Sequence, residues 1–135
     1  MRTQVPGRIL RLAAACLAAA RRANPAVLEE PELLQAASRM LVSRLAQQLN
    51  PGEAYALSTL ALTLAKVEDP FFEPIGAAAD GSLVGLAAAF AGQPENAQRD
   101  LAAIILGHHL RLLGTLLSEP EFARLLAELW PDALV

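Results

Sequence analysis

PENAQRDLAAIILGHHLRLLGTLL, residues 94–117, decides how this chain folds. On a helical wheel at about 100° per residue, Asp100, Gly107, Arg111, Gly114, Thr115 and Ser118 gather on one side. Leu101, Ala102, Ile105, Leu106, Leu110, Leu112, Leu113, Leu116 and Leu117 fill the other. An apolar arc of roughly 200° is about twice what a surface helix needs. The segment is therefore expected at the centre of the fold, with helices packed on two or three of its sides.

Two histidines sit in this oily run. His109 falls near the middle of the apolar arc, and His108 at its edge beside Arg111 and Thr115. Adjacent residues point about 100° apart, so the pair does not grip one metal from a single turn. A two-histidine helix site wants i, i+4 spacing, as in H-E-x-x-H. Neither ring has an acid three or four residues away, and nothing selects a ligand from Glu53, Glu68 or Glu73 in other segments. His109 is read as a neutral core or interface histidine with one satisfied hydrogen bond, and no metal or cofactor is called for. Gly107 and Gly114 lie seven apart, on one side of the helix. Each costs about 1 kcal/mol in a helix interior, which points to a second backbone crossing there, from this chain or another copy. Gly107, His109 and Gly114 are thus candidate interface positions.

The rest of the chain agrees with a helical centre. Apolar residues reach 54% with only 4% aromatics, and the excess is alanine and leucine, both strong helix formers. The expected fold is all-α, a compact bundle of five to seven helices in a single domain over residues 1–135. Proline and acid mark helix starts in "EEPELL", "LNPGEA", "GQPENA" and "SEPEFA", since proline suits the first turn and an acid suits the positive end of the helix dipole. Asn50 with Glu53 and Ser118 with Glu121 have capping-box spacing. Helices are expected at about 8–22, 31–49, 51–67, 94–117 and 119–130, with short helical pieces at about 75–80 and 82–91.

Composition also narrows the function. The longest stretch free of Asp, Glu, Lys and Arg runs from Gly81 to Pro94, short of the ~18 apolar residues a membrane span needs, so no transmembrane span is expected. Leu12–Ala20 is a poor secretory signal, because Arg11 interrupts its lead-in and Arg21–Arg22 follow at once. With one cysteine, Cys16, no internal disulfide forms, and a cytoplasmic location is expected. Five arginines precede the first acid, Glu29. Arg8, Arg11 and Arg22 share one side of the basic N-terminal helix, a candidate contact for anionic membrane or nucleic acid. A pI near 5.3 and the lack of lysine and aromatics in that helix weigh against nucleic acid. "DPFFEP", residues 69–74, holds Phe71 and Phe72 in a turn, where aromatics can anchor a partner.

No nucleotide-binding, nucleophile-elbow, C-x-x-C or H-E-x-x-H motif is present, so catalysis is not the expectation. The leading expectation is a non-catalytic helical protein–protein interaction module that self-associates as a homo-oligomer. The alternative is a helical regulator or scaffold that touches nucleic acid or anionic membrane through its basic helix. A third is a cofactor or metal binder using the central histidines.

Overall fold

A proline stands at the start of every long α-helix in the computed structural model, which describes residues 3–26, 29–47, 50–80 and 82–134. Among these residues there are six α-helices: α1 (Gly7–Ala23), α2 (Glu30–Leu45), α3 (Pro51–Glu68), α4 (Leu86–Phe90), α5 (Glu95–Leu116) and α6 (Glu119–Leu129). Two 3-10 turns, Pro70–Phe72 and Pro131–Leu134, follow α3 and α6. Both expected capping boxes form, with Asn50 and Ser118 accepting from the backbone N–H of Glu53 and Glu121. Each removes an orphan donor at a helix start and is worth about 1 kcal/mol.

α5 is the centre, as its wide apolar arc predicts. Every residue from Leu101 to Leu110 is buried, and α1, α3 and α2 pack around it. Leu106, Leu110 and Leu113 are fully enclosed. Truncating any of them to alanine is expected to cost about 2–5 kcal/mol, the lost transfer energy plus the cavity left behind. The lone tryptophan, Trp130, is 2% exposed, and the turn that follows it folds back on α1. No helix among the described residues is long and apolar enough to cross a membrane.

Two expectations need correction. α2 stops at Leu45, with a turn at Ala46 and Gln47; its expected end, Leu49, lies outside the described residues. Of the short helical pieces expected at 75–80 and 82–91, only α4 forms; residues 75–80 and 82–84 are not helical but carry a minimal antiparallel pair, β1 (Gly76–Ala77) with β2 (Leu83–Val84), in the register Gly76 to Val84. Gly85 then turns at φ +86°, and a Cβ there would stand 2.9 Å from the Pro74 carbonyl oxygen, so only glycine fits. The Gln35 amide of α2 holds the pair in place. It donates to the Leu83 carbonyl at 2.8 Å and accepts from the Leu83 N–H at 2.6 Å, as a neighbouring strand would.

Candidate functional site

The two histidines leave α5 in different directions and find different partners. His109 is 0% exposed, and its Nδ1–H donates to the Ile105 carbonyl one turn back, at 2.8 Å. Burial pushes its pKa below the ordinary imidazole value and the neighbouring His108 adds to this, while the bond to Ile105 opposes. The ring is therefore neutral at physiological pH, in the expected arrangement of one satisfied bond.

His108 has an acid after all. Its Nε2–H donates to Glu68 Oε1 at 2.9 Å, because α3 ends with that carboxylate against the middle of α5. Thr3 Oγ1 donates to the same oxygen at 2.7 Å, and the Gln4 N–H donates to Oε2 at 2.5 Å. Partial burial pushes the Glu68 carboxyl up; the bonds from Gln4, Thr3 and His108 and the pull of His108 together outweigh it and hold the carboxyl below its usual value. An ionised carboxylate only accepts, which places the His108 proton on Nε2. Nδ1 is buried without a hydrogen-bond partner among the described residues. The His108 ring is 1% exposed, so no solute reaches it. In this arrangement the pair ties the segment before α1 to α3 and α5 rather than offering a base to a substrate.

The other expected positions scatter. Gly107 faces inward: a Cβ there would stand 3.0 Å from Val5 Cγ1 and 3.5 Å from Leu10 Cδ2, so side chains of this same chain, rather than a crossing backbone, fill the space beside it. Phe72 is fully buried, and Phe71 is half-buried against Phe72 and Phe90. Gly107, His109 and Phe72 therefore present no surface to a second molecule, because their own chain already covers them. Gly114 is exposed, with Phe122 in ordinary contact distance at 3.8 Å. Arg8 and Arg11 are exposed near the start of α1, ~21 and ~16 Å along the axis from Arg22. Arg22 instead shares a cleft with Arg21 and Arg99. Cys16 is buried, and burial pushes its thiol up to about 12, which makes it a packing group. No group of three His, Cys, Asp or Glu side chains positioned to hold a metal occurs among the described residues.

No protein-family model, curated protein or solved structure matches the chain. Function is read from the residues themselves.

One surface feature lay outside the sequence expectations. Ala56, Leu60, Thr63 and Val67 form a stripe along α3, spaced four, three and four residues apart as in a coiled-coil seam. Ala56, Leu60, Thr63 and Val67 are all exposed, with Leu60 at 48% and Val67 at 81%. Beside Leu60 runs a cleft of about 320 Å³ toward the end of α5, lined by Leu112, Thr115 and Leu116, and Leu116 is 61% exposed. The signal was present in the 4-3-4 spacing, but alanine and leucine in a helix read equally well as core.

Proposed function

We propose that this chain is a non-catalytic helical interaction module that self-associates through the outer stripe of α3 and the adjoining end of α5. The exposed, uncharged stripe at coiled-coil spacing carries this reading. A soluble helix normally turns charge to water on its outer face, and contiguous apolar surface marks a contact site. Two details favour a buried fate for this surface. Thr63 Oγ1 donates to the Thr59 carbonyl at 2.8 Å, and Thr115 Oγ1 to the Leu112 carbonyl at 2.7 Å. Both hydroxyl protons are already satisfied, so covering them strands no donor.

The available area suits a second copy. The 18 residues of α3 make a helix ~27 Å long and ~10 Å wide, and the exposed end of α5 at Leu116 extends that face. Two such faces around a two-fold axis bury roughly 700 Å² in total, the scale of a weak, reversible association. A cytoplasmic setting accompanies this reading, supported by a single buried cysteine and no disulfide.

Light scattering at low and high salt tests it. The expected result is a dimer at both, because apolar contact is not screened by salt, and a monomer with unchanged helix content once Leu60→Glu and Val67→Glu are combined. A wild-type monomer at both salts overturns the reading.

A further inference from the structure

We propose that the cleft where α1, α2 and α5 meet binds a small organic anion with a short hydrocarbon body, an alkyl carboxylate or alkyl phosphate, through Arg22 and Arg99. The cleft holds about 320 Å³, within the range of small-ligand sites. Its floor is apolar, made by Ala14, Leu17 and Ala18 of α1 and Leu33 of α2. Its charged lining among the described residues is Arg21 and Arg22 from the last turn of α1, Arg99 from α5, and one acid, Glu30. Three arginines and one acid thus line a cleft with a hydrocarbon floor.

Glu30 sets the geometry. It is 4% exposed in the first turn of α2, pairs with Arg21, and stands 3.5 Å from Arg99 Nε. This fixed acid draws two arginines to the cleft. Arg22 and Arg99 also have ties that are exposed and weak: Arg22 Nε is 3.6 Å from Asp132, and Arg99 Nη2 is 2.8 Å from Glu95. Exposed pairs of this kind contribute about 0–1 kcal/mol. An anion in the cleft therefore exchanges for them at little cost. Guanidinium matches carboxylate and phosphate with paired N–H donors, so the head group is one of these.

The floor specifies the rest of the ligand. Ala14 also lines a neighbouring cleft of about 300 Å³, with Leu10, Ala103 and Ile104. From Ala18 to Leu10 the seam runs ~12 Å along α1, room for an octyl chain. The far cleft carries Arg11 and Asp100, whose charges offset one another, against three arginines and one acid in the near cleft, so the head group stays at Arg22 and Arg99 and the tail points toward Leu10. This site lies on α1, α2 and α5 and shares no residue with the stripe on α3, so it stands independently of self-association.

The test is calorimetric titration of the full chain with octanoate, octyl phosphate, inorganic phosphate and octanol. Octanoate and octyl phosphate are expected to bind once per chain, inorganic phosphate about tenfold more weakly or less, and octanol not at all. Arg22→Gln with Arg99→Gln, both exposed positions, is expected to weaken octanoate at least about tenfold with helix content unchanged. Ala18→Phe fills the floor and is expected to abolish octanoate binding while leaving any phosphate binding in place. Failure of both alkyl anions to bind, octanol binding as tightly as octanoate, or octanoate binding undiminished in the double arginine variant overturns the proposal.

Discussion

α3 and α5 are built from the same materials and end in opposite places. Both are long, rich in alanine and leucine and poor in charge. Every residue of α5 from Leu101 to Leu110 is covered by its own chain, whereas α3 leaves Ala56, Leu60, Thr63 and Val67 bare. Hydrophobic content thus says that a surface needs covering, not who covers it. For α5 the answer is internal, down to Val5 seated on Gly107. For α3 no described residue covers the stripe, which is why a second copy is proposed as its cover.

The hardest test of this contrast is charge placed in the middle of α5. His109→Asp is expected to cost at least about 3 kcal/mol more than His109→Leu, because an unpaired carboxylate would sit in a sealed site. Urea unfolding of the two variants measures it, and equal midpoints would show that the ring is not enclosed. The same site has a pH signature. The folded His109 pKa is depressed, so below the unfolded value of about 6.5 the unfolded chain takes up a proton that the folded chain refuses. Stability should be fully present above that pH and fall below it, by up to ~1.4 kcal/mol per unit. The slope should flatten in His109→Leu.

Next in size is the tie at Glu68. Glu68→Gln removes an ionised acceptor of three donors and should cost about 1–3 kcal/mol at neutral pH. Because the folded carboxyl is depressed, its contribution is complete above the unfolded value of about 4.3 and vanishes as pH falls through the folded one. Wild type and variant should therefore converge in acid; a constant gap would assign the loss to shape rather than charge. Smaller still is Gly114→Ala, expected to raise stability by about 0.5–1 kcal/mol through helix propensity, since nothing crowds the added methyl. Gly107→Ala should gain less, because Val5 must yield. Equal thermal shifts for both would mean that Val5 does not press on α5. The smallest effect on the fold is Leu60→Glu, within about 0.5 kcal/mol for the monomer, at a position exposed in the described structure. Strong unfolding would move that residue from the surface to the core.

The sequence showed the long helices because their signals are local. Pro51 with Asn50 and Glu53, Ser118 with Glu121, and the apolar arc of α5 are each complete within a few residues. The stretch before α4 misled because its structure comes from elsewhere: Gln35 reaches Leu83 across 48 residues, and Gly85 turns against Pro74. The histidines were half legible. His109 bonds its own helix, which the wheel anticipates. His108 meets a carboxylate 40 residues away that no spacing distinguished from Glu53 or Glu73. The arginine cleft was hidden in the same way, since Arg22 was grouped with Arg8 and Arg11 along α1 while its neighbour in space, Arg99, comes from α5.

Trp130 has a kinetic consequence. The turn after it rests on α1, with Asp132 at Arg22, so seating it closes a loop of roughly 110 residues, an entropy loss that must come before its contacts repay it. That closure should be a late event in folding and an early one in unfolding. The indole is the only one in the chain and is hidden at 2% exposure. Its emission should therefore report this docking step apart from helix formation: in a stopped-flow experiment, fluorescence would lag behind circular dichroism on refolding and lead it on unfolding.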